Sequence, residues 1–311
     1  MRLIRSRWTS LGALALLCCQ CLAAQQKDQQ PKFSAHVNLV SLDVEVLDRL
    51  ENPVLGLSKE AFLVKENGKP MPISNFAWMT DRPVSLAMLL DTSAISTDKL
   101  RICKRFISLL AHLLAPTDDL CLYSFDSRDA YLEQDFTSER PLLMDALDNI
   151  GVQSRGSGGL LTELFAKGPP TGLGIDVALD RLGKTHNGKK ALLVISNRFR
   201  GLGPATVDHV QQSGCTLLTL GFTNTASLLL TLGGDKISKD QLMRESGGRQ
   251  FSAEDKDITG VCRKIAYSLK NYYAVGYLTN IETAEKKLRR VEVLVPGHDY
   301  TIHSRRSFTP E

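Results

Sequence analysis

The chain has 311 residues, of which 43% are hydrophobic and 23% charged, as in an ordinary globular protein. It carries 38 Lys and Arg residues against 34 Asp and Glu residues. Three arginines fall in the first ten residues, so the remainder of the chain is nearly neutral, with 35 basic against 34 acidic side chains. A neutral chain has no bulk field that attracts nucleic acid or an anionic membrane, and we expect neither partner.

Residues 1–24 have the three-part pattern of a secretory signal peptide. Arginines at positions 2, 5 and 7 precede an apolar run at 11–19 and a small-residue segment at 21–24. The apolar run is shorter than the ~20 residues of a membrane-spanning helix, so we expect cleavage after Ala23 or Ala24 and no integral membrane segment afterwards. The alternative, a lipoprotein signal at Cys18, Cys19 or Cys21, lacks the small residues that should precede the cysteine. The protein is therefore expected outside the cytoplasm, in the periplasm or secreted.

Residues 25–36 are polar and are predicted to form a linker. Residues 37–82 then alternate apolar and polar side chains in several short runs, with an Asn-Gly turn at positions 67 and 68. This pattern predicts short antiparallel strands at 37–46, 54–57, 61–65 and 73–78. Residues 37–82 are therefore expected to form an N-terminal β segment.

Residues 83–270 alternate between strand and helix patterns. Apolar runs at 86–90, 120–125, 191–195 and 215–222 predict strands, and a further strand is predicted at 129–135. Helical periodicity predicts helices at 99–115, 140–150, 171–182, 205–212 and 258–269, while 151–170 and 223–237 are connections. Alternation of this kind predicts an α/β domain with a doubly wound, mostly parallel, Rossmann-like sheet.

The alternating strand pattern returns in residues 271–311, with predicted strands at 272–278, 288–295 and 300–308. Neither this C-terminal β segment nor the one at 37–82 has enough strands to be stable alone. We therefore expect the two segments to pack together as flanking antiparallel β structure, and an immunoglobulin-like sandwich is one form it can take.

Four cysteines remain after the signal peptide, at positions 103, 121, 215 and 262. No two have the spacing of a metal finger, and Cys121 and Cys215 lie in apolar strands as core residues. Cys103 and Cys262 fall on two helices that are expected to be neighbours. A disulfide between them is an open alternative in an oxidising compartment.

Four separated stretches resemble the VWFA-related Acidobacterial domain family, whose members contain a von Willebrand factor A-like domain. They are 39–76 (LVSLDVEVLDRLENPVLGLSKEAFLVKENGKPMPISNF), 86–93 (LAMLLDTS), 124–143 (SFDSRDAYLEQDFTSERPLL), and ESGGRQF at 245–251 with YYAVGY at 272–277. The resemblance covers nearly all of the chain after the signal. It implies a secreted type A domain with flanking strands.

The same resemblance implies a degenerate metal-ion-dependent adhesion site. Its ligands would be Asp91, Ser93, Thr171 and Asn197. Ile95 occupies the position of the second serine of Asp-x-Ser-x-Ser, with Ser96 displaced by one residue, and Asn197 stands where the family usually has an aspartate; Thr162 is a rival to Thr171. Mg²⁺ prefers octahedral oxygen ligands including carboxylates, so we expect Mg²⁺ binding to be weakened, and no cofactor is assigned.

The six histidines have no paired metal spacing and the chain has no Gly-x-Ser-x-Gly motif, so no catalytic residue is assigned. We expect a non-enzymatic binding or adhesion module that presents the carboxyl edge of its sheet to a protein partner. One alternative is a structural subunit of an envelope assembly whose metal site has decayed. A second alternative, from another class, is an unrecognised enzyme.

Overall fold

The computed structural model describes residues 36–93, 95–126, 128–151, 171–196, 199, 202–222, 239–253, 257–281 and 287–309. The predicted signal peptide and the connections at 152–170 and 223–237 lie outside the described residues, as does the linker apart from its last residue. Val37–Glu311 forms one compact unit.

The secondary structure alternates as the sequence pattern predicts. The strands are β1 His36–Leu47, β2 Leu63–Glu66, β3 Lys69–Met71, β4 Ile73–Met79, β5 Val84–Asp91, β6 Asp119–Phe125, β7 Ala130–Thr137, β8 Lys189–Ile195, β9 Thr216–Phe222, β10 Gln250–Ala253, β11 Tyr272–Ile281, β12 Arg289–Leu294, β13 Thr301–His303 and β14 Ser307–Phe308. The α-helices are α1 Thr97–Leu113, α2 Arg140–Asn149, α3 Thr171–Gly183, α4 Pro204–Ser213, α5 Lys239–Ser246 and α6 Ile258–Lys270. A 3₁₀ turn covers Lys59–Ala61.

The central sheet has six strands in the order β10-β9-β8-β5-β6-β7. All neighbouring strands are parallel except β7, which pairs antiparallel with β6 at one edge. Two four-stranded sheets flank it, in the orders β13-β1-β11-β4 and β14-β12-β2-β3. The predicted fold class, α/β with a mostly parallel sheet and flanking antiparallel β segments, is confirmed.

Strand β5 lies in the interior of the central sheet, and both of its faces are buried. Met88 and Leu90 pack on one face of the sheet against α1, α2 and α6. Ala87 and Leu89 pack on the other face against α3, α4 and α5. A strand covered by helices on both sides has no solvent-facing side, which explains why its sequence is an apolar run and does not alternate.

Strands from both ends of the described chain share the flanking sheets. β11 lies between β1 and β4, and β12 lies between β14 and β2. A common apolar core includes Leu42 and Val64 from the first part of the chain and Val275 and Val293 from the last. Two strand predictions are wrong in detail. Residues 54–57 form no strand, with only a single bridge from Leu47 to Pro53, and the predicted strand at 300–308 is two short strands, β13 and β14.

Buried ion pairs join the central sheet to the flanking strands. The Arg249 guanidinium lies 2.9 Å from the Glu45 carboxylate, and only 9% of each side chain is exposed. Burial raises the pKa of Glu45, although the neighbouring Arg249 lowers it in part. The Lys189 ammonium, at the start of β8, lies 2.8 Å from the Asp43 carboxylate. Removing one partner of such a pair would destabilise the fold, because the other charge would be left uncompensated in the interior.

The structure answers the question of the disulfide. Helices α1 and α6 pack against each other, as expected, and bring Cys103 and Cys262 into one apolar core. Both thiols are nevertheless free, and Cys262 Sγ lies 3.5 Å from the carbonyl oxygen of Phe106. The two residues therefore act as small core side chains.

Candidate functional site at the carboxyl edge of the sheet

The candidate site forms where three parallel strands end side by side. Asp91, the last residue of β5, lies opposite Phe125 of β6. Leu90 lies opposite Ile195 of β8, so the next residues of these two strands, Asp91 and Ser196, are neighbours. The carboxyl edge of an α/β sheet is where loops carry binding groups on a rigid base.

Asp91 connects the loops that follow β5 and β8. Its Oδ1 accepts hydrogen bonds from Ser93 N at 3.0 Å and Ser93 Oγ at 2.5 Å, and its Oδ2 accepts one from Ser196 Oγ at 2.6 Å. Asp91 and Ser93 are partly exposed, whereas Ser196 is only 6% exposed. The carboxylate is therefore held in one orientation, in a residue that is partly exposed.

Thr92 fixes the backbone of the same loop. Its N–H and its hydroxyl both donate to the carbonyl oxygen of Phe125, at 2.8 and 3.0 Å, and the side chain is 3% exposed. Asp126, which follows β6, accepts from Arg128 N at 2.6 Å and Asp129 N at 3.1 Å. Asp126 thus stabilises its own turn and is not part of the Asp91 network.

The other predicted ligands are placed as follows. Thr171 is the first residue of α3 and is buried. Helix α3 precedes β8 and packs on β5 through Gly174 and Leu89, so its first turn lies at the carboxyl edge of the sheet. Thr171 is therefore at the same edge as Asp91. Asn197 lies outside the described residues.

The two residues that interrupt the predicted metal motif have structural roles. Ile95 is partly buried and packs against the core on the α1 side of the sheet. Ser96 is the N-cap of α1, where its hydroxyl accepts a hydrogen bond from Lys99 N at 3.3 Å. An N-cap serine satisfies one of the free N–H groups at the helix start. Its hydroxyl is thus engaged by the helix.

Ser196 belongs to the candidate site, although the sequence pattern did not assign it as a site residue. The sequence shows that it follows an apolar strand, but its contact with Asp91 depends on the register between β5 and β8. Register between two distant parallel strands is set by helix packing on both faces, which no local pattern reports. The sequence does show that β5 and β8 both end in polar residues, and the carboxyl ends of parallel strands meet at one edge of the sheet.

The resemblance implies that the oxygen donors at this edge would hold Mg²⁺. Within the described parts of the chain, no group of three or more His, Cys, Asp or Glu side chains is arranged to hold a metal ion. The described oxygen donors at the edge are one carboxylate, from Asp91, and hydroxyl groups, and both carboxylate oxygens already accept hydrogen bonds. Tight oxygen sites depend on carboxylate charge, so these donors fit Mg²⁺ poorly. No step of the function proposed below passes through a metal.

Several solved structures share similarity with this chain. An aerotolerance-related membrane protein from Bacteroides fragilis, carrying multiple mutations to serine, is 18% identical with a TM-score of 0.41, covering 58% of this chain and 99% of its own. The VWA domain of SpRpn10 is 10% identical with a TM-score of 0.42, covering 58% and 93%. A von Willebrand factor type A protein from Catenulispora acidiphila is 10% identical with a TM-score of 0.42, covering 90% and 76%.

No protein-family profile and no curated protein sequence matches the chain. Among the helices that the structure describes, none combines the length and apolar character needed to cross a membrane.

Proposed function

We propose that the protein is a non-enzymatic binding module that acts outside the cytoplasm and presents the carboxyl edge of its central sheet to a protein partner. The observation that carries the proposal is the Asp91 carboxylate, which is oriented by Ser93 and Ser196 and remains partly exposed. The resemblance to the VWFA-related Acidobacterial family implies a secreted protein, and the signal pattern of residues 1–24 supports export.

The chemistry of the site favours a basic group on the partner. A carboxylate has about four lone-pair positions, and three described donors, Ser93 N, Ser93 Oγ and Ser196 Oγ, already contact Asp91. An N–H donor of a partner would take a further lone-pair position. An arginine or lysine of the partner would supply that donor together with a compensating charge, and a charge-assisted bond of this kind is stronger than a neutral one.

The histidines give little support to the enzyme alternative. His209 is the one most surrounded by carboxylates, with Nδ1 3.1 Å from Asp176 and Nε2 3.5 Å from Asp180. Thr206 donates its hydroxyl to the same Asp176. Both carboxylates lie on α3, whereas His209 and Thr206 lie on α4. These contacts therefore join α3 to α4.

The test compares capture of envelope proteins by the parent chain, by Asp91→Asn and by Asp98→Asn as a matched control on the exposed first turn of α1. We expect a chelator-insensitive partner that is lost with Asp91→Asn and retained with Asp98→Asn. Mass spectrometry of the mature chain should find Ala24, Gln25 or a nearby residue at the N-terminus. Capture that is unaffected by Asp91→Asn would favour the structural-subunit alternative, and a retained Met1 in the native host would exclude export.

A further inference from the structure

A second candidate binding site lies in the flanking β structure, where β12 of one flanking sheet and the edge strand β13 of the other line the same cavity. A groove of about 540 Å³ runs between them. Its walls include Lys65, Arg290, Val293, Tyr300, Ile302 and Arg306. A volume of this size is in the range that holds specific ligands, roughly 300–1,000 Å³.

One wall of the groove is an unpaired strand edge. β12 pairs with β2 along its length on one side, but on the other side β14 pairs only with Arg289 and Arg290. In the described part of the chain, no strand pairs with this side of β12 beyond the hydrogen bond from Val291 to Arg306. Residues 292–294 are therefore unpaired on the side next to the groove, which Val293 lines with 5% of its surface exposed.

Hydrogen bonds of Arg290 and Val291 show in which direction the backbone groups of β12 point. The N–H and C=O of Arg290 bond to Asn67 on the β2 side, whereas the N–H of Val291 bonds to Arg306 on the opposite side, at 2.8 Å. Backbone groups of successive strand residues point in alternate directions. The N–H and C=O of Val293 thus point into the groove, where they offer a donor and an acceptor to an added strand.

The other wall is strand β13, which pairs with β1 on one side. Ile302 and Tyr300 of this wall pack against the apolar core of the flanking sheets. An extended segment in the groove would thus find backbone groups on the β12 side and apolar surface on the β13 side. These are the two requirements for strand addition, in which the main chain gives affinity and alternate side chains give specificity.

The charge around the groove is positive. A second cavity of about 280 Å³ shares Ile302, Ser304 and Arg306 with the groove, and five cationic side chains line the two cavities against the carboxylates of Asp240 and Glu292. The cationic side chains are Lys65, Arg244, Arg249, Arg290 and Arg306. Arg249 is paired with Glu45, and Lys65 lies 3.8 Å from Glu292.

The other three arginines, Arg244, Arg290 and Arg306, are exposed. None of them forms an ion pair with another residue that the structure describes. Exposed arginines around the groove complement carboxylates, which they bind in a bidentate geometry. The groove is therefore suited to an extended segment with acidic side chains.

We propose that an extended acidic segment of a partner protein binds in this groove, adding as a strand to the open edge of β12 and placing its carboxylates against Arg290 and Arg306. The site is independent of Asp91 and of the function proposed for the carboxyl edge of the central sheet.

A short blocked peptide that alternates glutamate and valine is the probe, with a lysine-valine peptide as its matched control. Binding to the full chain is measured by calorimetry, and hydrogen exchange resolved to Val293 reports the main-chain contact. We expect binding of the acidic peptide alone, slower exchange at the Val293 amide, and weaker binding at higher salt. Arg290→Glu with Arg306→Glu should weaken binding by about tenfold or more, whereas Lys59→Glu, an exposed lysine outside the groove, should leave it unchanged.

Two N-methylated peptides test strand addition without altering the protein. One is methylated on its valine amides and the other on its glutamate amides, and only one of these sets can face β12. We expect one methylated peptide to bind as the parent peptide does and the other to bind about tenfold more weakly or worse. The proposal would be overturned if the acidic and basic peptides bound equally or if neither bound. It would also be overturned if exchange at Val293 were unchanged, or if the two methylations had equal effects.

Discussion

In the loop after Asp91, the residues at positions 95 and 96 have structural roles. Residue 95 is an isoleucine that packs into the core, and the serine that follows it caps α1. A serine at position 95 would supply the second hydroxyl of the Asp-x-Ser-x-Ser pattern, and an aspartate at position 197 would add a negative charge after β8. Ile95 thus costs the motif an oxygen donor, and Asn197 costs it a charge.

The first prediction repairs this site. Ile95→Ser combined with Asn197→Asp should give Mg²⁺ binding that calorimetry detects, because two carboxylates would then act on one ion. The parent should bind weakly or not at all, and adding Asp91→Asn to the repaired chain should abolish the gain. Tight Mg²⁺ binding by the parent would contradict the account. Failure of the repaired variant would mean that Thr171 or the Asp91 loop does not contribute as inferred.

The second prediction concerns the thiols. Burial raises the pKa of Cys103, Cys121, Cys215 and Cys262 to about 12, and for Cys103 the nearby Asp91 carboxylate adds to the effect. A thiol that stays protonated is a poor nucleophile. Ellman's reagent at about pH 8 should therefore label none of these four in the folded mature chain and all four in urea without reductant. A yield of two in urea would indicate the Cys103–Cys262 disulfide.

At the scale of the element, the Gly247-Gly248 turn between α5 and β10 allows the chain around Arg305 to approach the central sheet closely. A Cβ at Gly248 would lie 1.7 Å from the carbonyl oxygen of Leu217. At Gly247, φ is +68° and a Cβ would lie 2.4 Å from Arg305 N. Only glycine allows backbone from three segments to meet here.

Gly248→Ala should accordingly lower the free energy of unfolding by about 3 kcal/mol, measured by urea denaturation, because the added methyl must displace backbone. Gly183→Ala is the matched control. Gly183 ends α3 and a Cβ there meets nothing within 4 Å, so its substitution should change stability by less than about 1 kcal/mol. Equal effects of the two substitutions would show that the close approach at Gly248 is absent.

Strand β13 carries a pH-sensitive group, His303. Burial and the neighbouring Arg249 and Arg306 lower its pKa from 6.5 to about 4, although Glu51 and the backbone of Gly248 act in the opposite direction. The folded state therefore takes up this proton only near pH 4, whereas the unfolded chain takes it up near pH 6.5. The stability contributed by neutral His303 is present above pH 6.5 and is lost as the pH falls towards 4.

His303→Gln should remove this dependence. Between pH 7 and pH 4.5, the parent should lose about 2 kcal/mol more unfolding free energy than the variant. Urea denaturation at both pH values gives the difference. An identical loss in parent and variant would mean that the His303 ring is solvated in the folded state.

For the whole molecule, the sequence predicted the helices and the covered parallel sheet better than the arrangement of the flanking strands. The apolar run of β5 and the helical period of α1 identify a covered parallel sheet, because burial on both faces leaves a local signal. The break between β13 and β14 has no such signal, since the chain at Ser304 simply crosses from one flanking sheet to the other.

The sequence identified only part of the candidate site. Asp91 and Ser93 lie in one short motif and were identified from it. Ser196 reaches Asp91 only through the register of β5 and β8, and the open edge of β12 follows from where β14 ends. Both features result from the packing of distant segments, which local periodicity does not encode.

The last prediction concerns the flanking sheets as a unit. β11 lies between β1 and β4, and its antiparallel pairing with β4 extends from Tyr272 to Tyr277. Deleting residues 271–311 removes this central strand, so hydrogen exchange in residues 37–78 should become faster while β5 and β8 remain protected.

Because the deletion exposes a large apolar surface and the shortened chain can aggregate, Val275→Ala provides a second variant. Val275 is fully buried in the core shared by the flanking strands, and its truncation should cost about 2 kcal/mol. Exchange should then increase in β1 and β4 more than in β5, since the lost methyl groups contact the flanking core and not the central one. Unchanged exchange in residues 37–78 in both variants would show that these strands are stable without the C-terminal segment, and the composite unit would be wrong.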